Sequence, residues 1–318
     1  MEVAVTKDRV MVGERADGSQ LALPLVRHEG EPGPSVFIGV SIHGDEITGQ
    51  ASLWKLMDFL KGKQMRGTVT AVPVMNPEGF NFNVRGIPES TVDLNRVYPG
   101  DPNGSIAERL TAKIWEIARK HDYIIDVHTA GWCIPFVLVD PATGKLREKI
   151  DELASATGIT VLDEYTSEKY QLENLGASLP GVAIRENKVS FTVELGGFKG
   201  IDWNSVEAGY LALRNILSHL KVVDAPVESI TTSPTIHKRG YRRRDVHSLK
   251  GGIIEYREVP GSRIRKGDVL ARVRNIFGEV VEEVQAPEDG FVIALNPTSV
   301  TQTGGYIAEI AVGTAAPS

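Results

Sequence analysis

Between positions 36 and 220, short apolar runs rich in β-branched residues alternate with stretches whose apolar residues recur at helical spacing. The runs at 36–40, 68–75, 123–128, 136–139, 160–162, 182–185 and 189–195 have the length of buried strands. Helical periodicity is expected at about 46–62, 105–120, 146–156 and 202–220. Ser105-Ile106-Ala107-Glu108 is a capping-box pattern for the second of these. A chain that alternates in this way is restricted to an α/β fold, a mixed, largely parallel sheet with helices on both faces. Ala16-Asp17-Gly18-Ser19 reads as a hairpin before it, and Pro73 as an edge position or the end of its strand.

Near Asp224 the pattern changes. From Ala225 onward no helical period is evident, and Val, Ile and Gly dominate. We place the boundary at 221–228, giving a first domain of 1–224 and a β-rich second domain of 225–318. Within the latter, Gly267-Asp268-Val269-Leu270-Ala271-Arg272-Val273 matches Gly304-Gly305-Tyr306-Ile307-Ala308-Glu309-Ile310 in its glycine, alanine and apolar positions. Two quasi-symmetric β halves are expected.

Composition narrows the class. A net charge of −6 argues against a nucleic-acid binder, whose footprint is basic. No apolar run approaches the roughly 18 residues of a membrane span. The start of the chain lacks the build of a secretory signal, and Cys133, the single cysteine of 318 residues, forms no internal disulfide; both fit a reducing cytoplasm. Nothing around Cys133 suggests a nucleophile.

Four stretches carry chemistry. Ser41-Ile42-His43-Gly44-Asp45-Glu46-Ile47 joins a strand to a helix at the carboxyl edge of the sheet, where open α/β sheets bind ligands. His43 and Glu46, three apart, can hold one ion; a solvated helix start is the plain alternative. His128 ends the strand Tyr123-Ile124-Ile125-Asp126-Val127-His128, with Asp126 on the same face to orient it; alternatively His128 is a core histidine. Glu194 stands among Phe191, Val193 and Leu195, where a carboxylate needs a role or a partner. A general base would supply one, and a polar edge-strand face is the alternative. In the long stretch 76–104, Asn95 and Arg96, with Arg85 upstream, could bind a carboxylate. Asp93 and Arg96 could instead form a loop salt bridge.

Taken in order, His43-Gly44-Asp45-Glu46, Asp93-Leu94-Asn95-Arg96, Asp126-Val127-His128 and Val193-Glu194-Leu195-Gly196 resemble the zinc carboxypeptidases, most closely the succinylglutamate desuccinylase/aspartoacylase branch. The resemblance covers about residues 30–220. It implies a carboxypeptidase-like α/β/α sandwich and one zinc ion per chain, held by His43, Glu46 and His128. It further implies Glu194 as general base, Arg85 polarising the scissile carbonyl, Asn95 and Arg96 on the substrate carboxylate, and Asp93 hydrogen-bonded to His43. Arg185 corresponds to a further substrate-binding arginine. The second domain resembles the barrel-sandwich of biotinyl and lipoyl carriers, but its hairpin stretch Asn275-Ile276-Phe277-Gly278-Glu279 has no lysine to modify.

The expected protein is a cytoplasmic zinc amidohydrolase acting on an N-acyl amino acid. Its partner would be that small molecule, with no nucleic acid and no membrane, and a homo-oligomer is left open. A carboxypeptidase acting on short peptides and a non-catalytic binding module on the same fold are the alternatives. The arginines lead us to expect a required α-carboxylate and a weaker preference for a second acidic group. The basic run His237-Lys238-Arg239-Gly240-Tyr241-Arg242-Arg243-Arg244 reads as a solvated face, or as a rim that draws in anions.

Overall fold

The chain opens with a hairpin: β1 (Ala4–Glu14) turns at Gly18 into β2 (Gln20–Glu29). There follow β3 (Glu31–Val40), α1 (Thr48–Leu60), β4 (Arg66–Val72), α2 (Pro77–Phe82), α3 (Ile106–Ala118), β5 (Tyr123–Thr129), β6 (Trp132–Cys133), β7 (Phe136–Val139) and α4 (Gly144–Ala156). Then come β8 (Thr160–Asp163), α5 (Ser167–Leu172), α6 (Leu179–Arg185), β9 (Val189–Leu195) and α7 (Trp203–His219). This computed structural model describes residues 4–88, 90–236 and 240–314.

The strands lie in the order β1-β2-β4-β3-β5-β9-β7-β8. β4, β3, β5 and β9 are parallel neighbours, and β7 runs antiparallel to β9. Alternation along the strands sends successive side chains to opposite faces. Val36, Ile38 and Val40 pack with Ile125 and Val127 against Leu53, Leu56, Ile150, Leu213 and Ile216, on α1, α4 and α7. Phe37 and Ile124 face the other way, toward Leu110 and Ile114 of α3 and Val182 of α6. The mixed α/β sheet covered on both faces is the architecture expected. β4 stops before Pro73, in the interior of the sheet, so the proline marks a strand end. The capping box is formed: the Ser105 hydroxyl accepts from the Glu108 N–H, and the Glu108 carboxylate accepts from the Ser105 N–H.

One segment is not what its apolar run suggested. Residues 182–185 lie in helix α6, not in a strand. Ser178 caps it by accepting from Gly181 N–H, and Pro180 sits in the first turn, where its missing N–H costs nothing. A short β-branched run does not by itself separate strand from buried helix.

The remainder is β structure: β10 (Tyr241–His247), β11 (Gly252–Tyr256), β12 (Arg263–Ile264), β13 (Val269–Arg274), β14 (Val280–Gln285), β15 (Gly290–Leu295), β16 (Val300–Thr301) and β17 (Tyr306–Gly313). It contributes a separate four-stranded antiparallel sheet, β14-β13-β11-β16. Its other strands continue the main sheet in the order β10-β17-β15-β12, because β10 pairs with β8 at Arg242 and Asp163. The internal repeat places β13 in the small sheet and β17 in the large one. Gly267 and Gly304, which precede them, both have positive φ, the turn geometry that favours glycine. Ile276 and Phe277 are exposed at the β13–β14 turn, with Asn275 Oδ1 accepting from the Phe277 and Glu279 N–H groups. No helix among the described residues is long and apolar enough to cross a membrane.

Candidate active site

The turn after β3 is held from several sides. Ser41 has φ +54, a conformation disfavoured for a side-chain-bearing residue. Its hydroxyl donates to the Glu46 carbonyl at 2.6 Å and accepts from Gln50 Nε2 at 3.1 Å. Gly44 lies against the backbone of Gly79 so closely that a Cβ there would fall 2.0 Å from the Gly79 carbonyl carbon. This packing leaves His43 and Glu46 buried in the turn, two residues before α1 begins.

β5 and β9 bring the other groups. His128 and Glu194 are register partners on adjacent parallel strands. His43, Glu46 and His128 offer ligand atoms that all lie within 4.8 Å of one another. Glu46 Oε1 is 2.8 Å from His43 Nδ1, and Oε2 is 2.9 Å from His128 Nδ1. Each imidazole turns its far nitrogen to a carboxylate: His43 Nε2 lies 3.0 Å from Asp93 Oδ1, and His128 Nε2 lies 2.9 Å from Asp126 Oδ2.

Those carboxylates test whether a metal fits. A carboxylate accepts, so it places the proton of each neutral imidazole on Nε2. The two Nδ1 lone pairs then face each other at 3.2 Å, beside an ionised carboxylate. Lone pairs repel at that distance unless a cation lies between them. Two imidazole nitrogens and a carboxylate oxygen are ordinary zinc donors. The residues fit the group.

Asn95, Arg85 and Arg96 stand around this cluster. Arg85 Nη1 reaches Glu46 Oε1 at 3.2 Å, and Nη2 donates to Asp93 Oδ2 at 2.8 Å, so Asp93 pairs with Arg85 rather than with Arg96. Arg96 donates to the carbonyls of Glu173 and Asn95 and lines the cavity. Asn95 Oδ1 accepts from Leu179 N–H at 3.0 Å, and its Nδ2 lies 3.3 Å from Asp126 Oδ2 and 3.2 Å from His128 Nε2. The amide braces the His128 side of the cluster and lines the cavity. Arg185 is not among the residues lining the cavity. It ends helix α6, and its guanidinium donates to the Gly176 carbonyl.

Glu194 faces the same cavity, which has a volume of about 410 Å³. Burial pushes its carboxyl up to about 7, with His128 pulling it down and Glu46 adding to the rise. That is near the value at which a general base works best around neutral pH. Burial likewise pushes the Cys133 thiol well up, against a thiolate nucleophile, and Cys133 does not line this cavity.

The cavity is also lined by Arg243 of the basic run, on β10, and by residues that motif reading missed: Asp140 and Glu164, just past the ends of β7 and β8, Asp245 of β10, and Glu309 of β17. Arg243 is therefore neither solvated nor a free cation at a rim; it bonds Glu164 Oε1 at 3.1 Å and Glu309 Oε2 at 3.0 Å. His237, Lys238 and Arg239 lie outside the described residues. A signal for Glu309 existed, since it is a lone carboxylate in the apolar strand Tyr306-Ile307-Ala308-Glu309-Ile310, as Glu194 is in its own.

A mixed α/β sheet carrying a His-Glu-His cluster at the carboxyl edge of its parallel strands defines a carboxypeptidase-like protein. This chain belongs to the succinylglutamate desuccinylase/aspartoacylase family, whose catalytic-domain model matches residues 32–220. It is similar to the N-alpha-acetyl-L-2,4-diaminobutyric acid deacetylase of Halomonas elongata, 28% identical over 309 residues, covering 94% of this chain and 87% of that protein. In fold it matches the crystal structure of a succinylglutamate desuccinylase/aspartoacylase from Rhodobacter sphaeroides, with a TM-score of 0.85 at 22% identity, covering 99% of this chain and 97% of that one. A metallo-carboxypeptidase from Burkholderia cenocepacia is a more distant match, with a TM-score of 0.53 at 18% identity over 69% of this chain and 64% of its own. These relations place the chain among deacylating hydrolases of amides.

Proposed function

We propose that this protein is a zinc-dependent amidohydrolase that removes the acyl group from a small N-acyl amino acid. The observation that carries this reading is the pair of imidazoles whose Nδ1 atoms meet at 3.2 Å beside Glu46, with Glu194 on the adjacent strand. The deacetylase relative, named for an N-acetylated amino acid, supports the substrate class. The cavity volume of about 410 Å³, with Pro297 and Tyr306 among its lining residues, suits a small molecule better than a peptide chain.

Zinc, when bound by His43, Glu46 and His128, supplies Lewis acidity to the attacking water and to the scissile carbonyl. Glu194 takes the water's proton as the new C–O bond forms, and returns a proton to the departing amine as the C–N bond breaks. Arg85 stabilises the negative charge that grows on the carbonyl oxygen. Arg96 holds the α-carboxylate. Asp93 and Asp126 keep each imidazole in the tautomer that points Nδ1 inward, and Asn95 steadies Asp126.

Hydrolysis of a panel of N-acetyl and N-succinyl amino acids by zinc-loaded and by chelator-stripped protein tests this reading. Turnover that needs both zinc and a free α-carboxylate is expected. Equal kcat/KM for acids and their carboxamides would remove the carboxylate clamp. Bound zinc without hydrolysis of any member would favour a non-catalytic binding module.

A further inference from the structure

Glu194 stands between two hollows of opposite character. One is the charged cavity of about 410 Å³. Along β9 it runs back from Glu194 to Thr192, crosses to Leu138 on β7, the register partner of Thr192, and reaches Asp140 beyond it. In the other direction the chain passes Gly197 and Phe198, which line both that cavity and a second hollow of about 540 Å³. Gly131 and Pro297 are shared in the same way. The rim between the hollows is main chain at its centre, where Gly197 N–H donates to the Gly131 carbonyl at 2.8 Å. Neither glycine has a side chain to block passage across it.

The second hollow is apolar where the first is charged. Trp132, Ile134, Phe198, Pro234, Val259 and Pro297 line it, and among the described residues no lysine, arginine or histidine does. Its carboxylate, Asp202, is already used: Oδ2 accepts from the Ser205 hydroxyl at 2.7 Å, and Oδ1 accepts from the Asn204 N–H at 3.1 Å, capping α7. The apolar side chains are open to a ligand, with Trp132 49% exposed, Phe198 47% and Val259 53%. Trp132 is also held in place. Its strand β6 pairs with β15, and the indole meets the Tyr256 ring edge to face, with centroids 6.1 Å apart. Exposed apolar surface that continues out of a reactive cavity marks a place where something apolar binds.

We propose that this second hollow is the acyl subsite, and that it takes an uncharged, unbranched acyl chain longer than acetyl. The inference rests on the deacylase reading, which puts the scissile amide at Glu194. The two halves of such a substrate differ in charge. The amino acid half carries a carboxylate, and Arg96 lines the charged cavity. The acyl half then extends past Gly197, away from Thr192, onto Phe198 and Trp132. An aliphatic chain there removes apolar surface from water on both partners. A succinyl chain would set its carboxylate in a hollow without a cation, which is costly. Phe198 on the rim and Trp132 within the hollow are the residues that set acyl length.

The test holds the amino acid fixed, as the one whose N-acetyl form is hydrolysed fastest. It varies the acyl group through acetyl, butyryl, hexanoyl and succinyl on the zinc-loaded, full-length protein. Each methylene that enters a half-open apolar groove corresponds to about two- to threefold, so kcat/KM should rise on the order of 10- to 100-fold from acetyl to hexanoyl. Succinyl, which matches butyryl in length, should be used less well than butyryl. Trp132→Ala and Phe198→Ala should each lower the hexanoyl-to-acetyl ratio at least about threefold. Val259→Lys should raise the succinyl-to-butyryl ratio by supplying the absent cation. Thermal unfolding and zinc content show that each variant is folded. A series that is flat or falls beyond acetyl would overturn the proposal, as would succinyl used better than butyryl, or ratios unchanged in all three variants. Faster cleavage of a blocked dipeptide with the same C-terminal residue than of any acyl derivative would also overturn it, in favour of a peptide in the groove. If no substrate is hydrolysed, the deacylase reading fails. The groove is then decided by calorimetry with Nα-hexanoyl-alanine against Nα-acetyl-alanine: tighter binding of the hexanoyl compound supports it, and equal binding refutes it.

Discussion

His128 and Glu194 are cross-strand partners, one at the carboxyl end of β5 and the other at that of β9. A single register between two parallel strands therefore sets the separation of imidazole and carboxylate. A slip by one residue would turn both side chains to opposite faces of the sheet. Four measurements follow from that arrangement and its surroundings.

Purified protein should carry about one zinc per chain, and His128→Ala should lose most of it. Removing one of three protein donors leaves too few to hold the ion in a tetrahedral site. Metal analysis of the dialysed variant checks this. Full retention would remove His128 from the ligand set.

Asp126→Asn should weaken zinc binding by about 10- to 100-fold while leaving all three donors in place. The carboxylate lies 2.9 Å from His128 Nε2 and fixes which nitrogen faces the cluster. Competition with a chelator of known affinity measures the change. An affinity equal to that of the native protein would mean that the tautomer is set elsewhere.

Glu194→Gln should keep its zinc and its fold and lose about 10²- to 10⁴-fold in kcat, the usual contribution of proton transfer. The amide matches the carboxylate in shape, so a fall in KM or in melting temperature alone is not expected. Near-normal turnover would exclude Glu194 as the base.

Metal-free protein should lose stability as the pH rises from about 5 to about 8.5. Burial holds the Glu309 carboxyl up to about 8, and those of Asp140 and Glu194 up to about 7. The unfolded chain releases these protons near the ordinary carboxylate value, whereas the folded chain keeps them. Where the folded state binds more protons, stability falls with rising pH, by up to about 1.4 kcal/mol per pH unit for each proton. His128, raised well above its usual value by the Asp126 and Glu46 carboxylates despite burial, acts in the same direction above about pH 6.5. Asp93, held below the carboxylate range by His43 and Arg85 despite its burial, contributes stability that is lost only in acid. Melting curves across the range check the sign, and Glu309→Gln should flatten the slope. Stability that rises through this window would contradict the account of retained protons.

Much of this protein was legible from local pattern. Strand and helix positions, the capping box at Ser105, the turn at Gly18 and the strand ends carrying His43, His128 and Glu194 all follow from periodicities and caps that act over a few residues. The same short range explains the errors. The run Val182-Ala183-Ile184 reads equally well as strand or helix, and only packing against Phe37 and Ile124 under the Ser178 cap makes it helical. What Arg185, Asn95 and Arg243 touch was beyond local reading, because each partner depends on contacts between distant segments. Arg243 reaches both Glu164 and Glu309 because β10 pairs with β8 and β17 with β10. A side chain's residue type states what charge it brings. Only the tertiary structure decides which charges are buried together, and therefore which of them still lacks a partner.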